Sequence, residues 1–254
     1  VDEDNPLPDR TFYMLQSPVR RIIRAGAVLE DRASNSLHHF YDPLYGGRGL
    51  VLGSSGIAVP AGIPSPDWML ETESNILSKL FRQDFSYSDT LGYFHKALVS
   101  NQLAVREVNF GLMFRGIGHL VHHMQDMAQP QHVRNDQHCD ASTAPVCRFT
   151  DNPSHFEKYT DEFRKTIVAS IGPEDIPDFP LLRQYWTNAS GAGLADFTQS
   201  NFISQGTNFA LDSLGSLSGN QDYPLPMPRL EQSGIAYDLL TVLQEALINP
   251  VAIE

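Results

Sequence analysis

The amino-acid sequence predicts an all-α fold, and three observations carry that expectation. No window sustains the alternation of apolar and polar residues that a half-buried strand needs, so strands are not the framework. Six stretches instead place apolar residues at helical spacing, at 68–81, 90–99, 101–127, 156–171, 194–208 and 237–249. Connections rich in proline or glycine separate them, at 46–66, 129–153, 172–180 and 215–228.

Taken in order, the helix at 68–81 sets Met69, Ile76 and Leu80 at helical spacing. The connection before it, 46–66, is long for a compact domain, and such loops are usually functional or mobile. The helix at 90–99 leads into the longest, 101–127, where Met113, Ile117, Leu120, Met124 and Met127 step by 4, 3, 4 and 3 in one apolar stripe. Gln129-Pro130 then closes it, because the residue before a proline avoids the α region. Helices at 156–171 and 194–208 flank the 172–180 break, and a Pro-rich connection at 215–234 precedes the last one. One domain over 1–254 is expected, near the upper size for a single core.

Composition removes several function classes. Charged residues make up 19% of the chain and hydrophobic ones 41%, which excludes an intrinsically disordered protein. The longest weakly charged stretch, 49–66, is broken by glycines and prolines and cannot cross a membrane as a helix. With 30 acidic against 18 basic side chains the net charge is −12, which repels phosphate backbones and argues against duplex nucleic acid as a partner. Two cysteines, Cys139 and Cys147, are too few for a four-thiolate zinc site. In an exported chain they would pair and in a reducing compartment they would stay free; export and the disulfide are the expectation.

Nine histidines, several of them clustered, point to metal. On the long helix His119, His122 and Asp126 step by 3 and 4, the spacing that puts side chains on one face. Beyond the proline break, His132 follows Asp126 by six residues. A lone helical histidine is ordinarily a buried polar group bonded to its surroundings. A histidine and an aspartate at i and i+4, with another histidine delivered across a proline, favour a metal site.

The run Gly118-His119-Leu120-Val121-His122-His123-Met124-Gln125-Asp126-Met127-Ala128-Gln129-Pro130-Gln131-His132 resembles the His-x-x-x-Asp and Gln-Pro-x-His signature of bacterial zinc-dependent phospholipases C and related fungal single-strand nucleases. Upstream, His39-Phe40-Tyr41-Asp42-Pro43, with a glycine turn at Gly46-Gly47, is similar to the His-Phe-Tyr-Asp-Pro block of the phospholipases. Glu30-Asp31 stands where that family has an acidic ligand. The resemblance covers about residues 25–159 and implies a compact multi-helix phospholipase C-like domain.

It also implies two zinc ions. The first would take Asp31, His39, His122 and Asp126, with Glu30 competing with Asp31. The second would take His132, Glu157 and a loop histidine, His138 in preference to His155. The family's His-x-x-x-Glu pair is absent here, because Pro153 stands where its histidine belongs, and His155 lies only two residues from Glu157. Glu157 also completes a capping-box pattern with Ser154. A third zinc is expected only with residues upstream of this chain, since no histidine precedes His38.

The implied activity is phosphodiester hydrolysis, with phospholipid as the substrate, Asp31 orienting or deprotonating the attacking water, and zinc neutralising charge on the phosphoryl group. Arg134 is either a phosphate holder or a solvated cation. The alternatives are a single-strand nuclease of the same superfamily and a non-catalytic zinc-stabilised helical module. A serine-nucleophile mechanism is disfavoured, because neither Gly53-Ser54-Ser55-Gly56 nor Gly215-Ser216-Leu217-Ser218-Gly219 sits in a strand-turn-helix setting.

Overall fold

A computed structural model describes residues 17–31, 35–54, 57–60, 62–70, 83–136, 156–157, 159–163 and 178–204. These are mostly helical. The main helices are α1 (Val19–Glu30), α2 (Ser65–Leu70), α3 (Tyr87–Val99), α4 (Leu103–Asp126), α5 (Pro130–Val133) and α6 (Leu194–Asn201). None of them is long and apolar enough to cross a membrane. The expected helix at 237–249 and the stretch 71–80 lie outside the described residues.

The longest helix, α4, is the spine, with α1 and α3 packed along it. The α1 crossing is so close that backbone meets backbone. A Cβ on Gly118 would lie 2.0 Å from the Ile23 carbonyl oxygen, and one on Gly26 would lie 2.1 Å from that of Arg115. Helix α3 starts at Tyr87, three residues before the sequence pattern suggests, because Ser86 and Asp89 form a capping box. The Ser86 hydroxyl accepts from the Asp89 amide at 3.2 Å, and the Asp89 carboxylate accepts from the Ser86 amide at 3.1 Å.

Two of the elements that the sequence pattern did not anticipate frame the site. Helix α1 is one, and its only buried residues are Gly26 and Glu30. The other lies in the 46–66 connection, which folds into an antiparallel hairpin of β1 (Val51–Ser54) and β2 (Ile57–Pro60). Asn135, whose φ of 51° asparagine tolerates better than most residues, clamps its start: the Val51 amide donates to Asn135 Oδ1 at 2.7 Å and Asn135 Nδ2 donates to the Val51 carbonyl at 3.1 Å.

The apolar core gathers beside the C-terminal end of α4. Trp68, Met69, Met127, Val133, Trp186 and Ala195 are buried there, with Leu120 and Met124 packed on them. The C-terminal half of the expected stripe on α4 therefore faces the core, and the adjoining faces carry the polar cluster.

Candidate metal centre

Each polar side chain at this end of α4 is delivered by a local device. Asp31 caps the C-terminus of α1. A 3₁₀ turn, Asn35–His38, presents His39. His122 and Asp126 lie one helical turn apart on α4. Pro130, rather than only ending α4, is the first residue of α5, with the Gln129 side chain accepting from the Gln131 amide; this turn holds His132. The Tyr41 amide donates to the His132 carbonyl at 3.1 Å, and the Phe40 and His132 rings lie 4.8 Å apart, so the His-Phe-Tyr-Asp block and α5 are fixed to each other.

Asp31, His39, His122, Asp126 and His132 converge. His39 Nδ1 lies 3.4 Å from His122 Nε2 and 3.3 Å from Asp126 Oδ2, and His122 Nε2 lies 3.5 Å from the same oxygen. Asp31 Oδ1 stands 4.0 Å from His39 Nδ1 and 3.9 Å from His122 Nε2. The other oxygen of Asp126, Oδ1, lies 3.4 Å from His132 Nδ1, so this carboxylate faces two sides. His39 is buried while the Asp31 side chain is 43% exposed, which gives the cluster one open rim.

Three members of the cluster have shifted titration: His39 and His122 toward neutral imidazole, and Asp126 toward the carboxylate. Burial pushes His39 well below its ordinary range, and burial lowers His122 as well. Burial also opposes charge on Asp126, but the imidazoles of His39 and His132 outweigh it and hold the carboxyl below the usual carboxylate range. These are the protonation states in which both residue types can ligate a metal.

The shared face expected for His119, His122 and Asp126 divides in two. His119 and His123 form one i, i+4 pair and His122 and Asp126 another, offset by about 100° per residue around the helix. The first pair turns to Glu30, which is fully buried. His119 Nδ1 meets Glu30 Oε2, and His123 Nε2 lies 2.9 Å from Glu30 Oε1. Trp68 Nε1 donates to Oε1 at 2.9 Å and Asn35 Nδ2 to Oε2 at 3.2 Å. Burial opposes the charge on Glu30, yet the hydrogen bonds from His119 and His123 more than offset it and hold the carboxyl far below its ordinary range. The neighbours Glu30 and Asp31 thus do different things: Glu30 is engaged by four protein donors, and Asp31 faces the open cluster.

The chain matches no family model, no curated protein and no solved structure. The site is therefore read from its own geometry. Among the described residues, Asp31, His39 and His122 bring three ligand atoms within 4.8 Å of one another, as do Glu30, His39 and His123, beside the trio of His39, His122 and Asp126 at 3.3 to 3.5 Å. Glu157 belongs to none of these; it is half-buried, and its carbonyl accepts from Thr160 Oγ1 at 3.0 Å. His138, His155, Ser154, Cys139 and Cys147 lie outside the described residues. Arg134 is not a solvated cation: it is buried, with Nη2 donating to the Gln199 carbonyl at 2.5 Å.

Sequence reasoning missed the depth of the supporting layer. His123 is held from both sides, with Ser65 Oγ at 2.9 Å from Nδ1 and Trp186 Nε1 donating to that hydroxyl at 3.0 Å. His38 is also locked, stacked on Trp68 at 3.8 Å with its Nδ1 accepting from the Ile63 amide at 2.8 Å. The available signal was the second i, i+4 histidine pair, 119 and 123, interleaved with the first.

Proposed function

We propose that this chain is a zinc-dependent phosphodiester hydrolase that acts on phospholipid head groups. One observation carries the metal part of the reading. A tetrahedral zinc with bonds of about 2.0–2.2 Å sets its ligand atoms roughly 3.3–3.6 Å apart, and His39 Nδ1, His122 Nε2 and Asp126 Oδ2 are separated by 3.3, 3.4 and 3.5 Å. Asp31 Oδ1, at 4.0 and 3.9 Å from the two nitrogens, would complete the set by moving toward them. Two nitrogens and two oxygens suit zinc, though the oxygens also admit manganese or iron. The hydrolase part rests on the resemblance of the two motifs and on the rim at Asp31, the side from which a substrate phosphate can approach.

Zinc in this position would lower the pKa of a bound water and neutralise charge on the phosphoryl oxygens. The chain's residues do the rest. His39 and Asp126 supply donors from buried positions and His122 from a half-buried one, with the protein excluding bulk water behind them. Asp31, half-exposed, accepts the proton of the attacking water and orients it toward phosphorus. Asp126 Oδ1 and His132 form a second donor pair, which His138 and Glu157 would complete for a second zinc. The reading carries export and a Cys139 to Cys147 disulfide with it.

The test is hydrolysis by the full chain, zinc-loaded and chelated, of a soluble chromogenic phosphodiester, phosphatidylcholine micelles and single-stranded DNA. Zinc-dependent turnover of the first two, reduced about 100-fold or more by Asp31→Asn, is expected. Turnover of DNA alone would identify a nuclease. Stoichiometric zinc with no turnover of any substrate would identify a non-catalytic module.

A further inference from the structure

Glu30 stands where the three segments that carry the cluster's donors meet. It directly precedes Asp31 at the end of α1. Its oxygens take His119 and His123, which lie on either side of His122 along α4 and so fix that helix in rotation and height against α1. It also takes Trp68 Nε1, and the Trp68 ring stacks on His38, the residue next to His39. The His123 ring, gripped between Glu30 and Ser65, packs edge-on to His39 with centroids 5.0 Å apart.

We infer that Glu30 is a positioning residue for the metal centre: its carboxylate, shared among His119, His123 and Trp68, sets where Asp31, His122 and His39 present their donor atoms. The inference rests on the metal reading of the neighbouring cluster. Glu30 can also be counted with His39 and His123 as a possible metal-holding trio. That role conflicts with its bonding, because four donors already occupy its two oxygens and both nitrogens of His123 are engaged. A cation there would have to break contacts that a buried carboxylate needs.

The experiment uses the full chain as Glu30→Gln and as Trp68→Phe, the second because a buried change at Glu30 itself can prevent folding. Cobalt(II) replaces zinc as the probe; competition with a chromophoric chelator gives Kd, visible absorption reports ligand geometry, and circular dichroism checks the fold. We expect both variants to bind as many equivalents as the wild type. Glu30→Gln should bind about 10–100-fold more weakly with a shifted cobalt spectrum, and Trp68→Phe should change the same way by less. Folded variants with wild-type Kd and spectrum, differing only in melting temperature, would overturn the inference. So would a folded Glu30→Gln that loses a whole equivalent, which would make Glu30 a ligand. If Glu30→Gln does not fold, an unchanged Kd and spectrum in Trp68→Phe overturns it alone. Wild-type protein that binds neither cobalt nor zinc would instead refute the metal reading beneath it.

Discussion

Replacing Gly118 by alanine inserts one methyl group between α1 and α4. The new Cβ would sit 2.0 Å from the Ile23 carbonyl oxygen and 2.9 Å from the Ala27 amide nitrogen, where ordinary contact begins at 3.4 Å. Both neighbours are backbone atoms and cannot rotate aside, so the helices must separate by up to about 1.4 Å. A movement of that size, directed along the bond, takes His123 Nε2 from 2.9 Å to beyond 4 Å from Glu30, and the His119 contact stretches with it. A hydrogen bond to a charged group contributes about 1.5–3 kcal/mol, so losing two destabilises the fold by about 3–6 kcal/mol. Against a typical total of about 5–15 kcal/mol that is a large fraction, and in a chain of this size it lowers Tm by roughly 6–24 °C. Urea denaturation and calorimetry of the chelated protein measure it directly. A loss under about 1 kcal/mol would show that the crossing is not as rigid as the backbone distances imply, and the account of Glu30 as a pinned hub would fall with it.

His38 gives a pH test. Burial, then the charge of His123, lowers its pKa from 6.5 to about 4, and protonation of Nδ1 would break its bond from the Ile63 amide. Above pH 6.5 it is neutral folded or unfolded; as pH falls from there to about 4 the unfolded chain binds a proton the folded chain does not, so stability drops by about 3 kcal/mol and then levels off. In chelated protein, His38→Gln should flatten that limb, and an unchanged limb would contradict the assignment. Asp126 gives a stoichiometry test. Since Oδ2 faces His39 and His122 while Oδ1 faces His132, Asp126→Ala should cost more bound zinc, measured after gel filtration, than His132→Ala. Equal losses would mean that the carboxylate serves one side only.

Much of the candidate site was legible because its spacing is local. His122 and Asp126 announce themselves at i and i+4, and the proline that places His132 is visible in the chain. Helix α1 went unanticipated although its sequence carries a signal. Val19, Ile22, Ile23, Gly26 and Leu29 recur at helical spacing opposite Arg20, Arg21 and Arg24, but the most deeply buried residues of that face are a glycine and a glutamate, which a search for large apolar side chains passes over. The hairpin was hidden because its clamp, Asn135, lies 84 residues from Val51. The early start of α3 was readable in Ser86 and Asp89, since the capping pattern is local, but apolar periodicity alone does not report it.

The split between His119 with His123 and His122 with Asp126 shows what spacing leaves open. Four polar residues within eight positions of one helix necessarily fall on neighbouring faces, and periodicity cannot say which face meets a ligand and which meets the protein. What decides is the chemistry opposite each pair. Opposite the first stands Glu30, fully buried, whose two oxygens already collect four donors from the chain. Opposite the second stand another imidazole and the rim carboxylate Asp31, so donor atoms face donor atoms at 3.3 to 4.0 Å. Two carboxylates and two imidazoles aimed at one point lack mutual hydrogen-bond complementarity unless protons or a cation stand between them. Burial holds His39 and His122 toward the neutral form, so each ring brings one N–H at most, and the remaining lone pairs of nitrogen and oxygen converge as a group that could hold a metal ion.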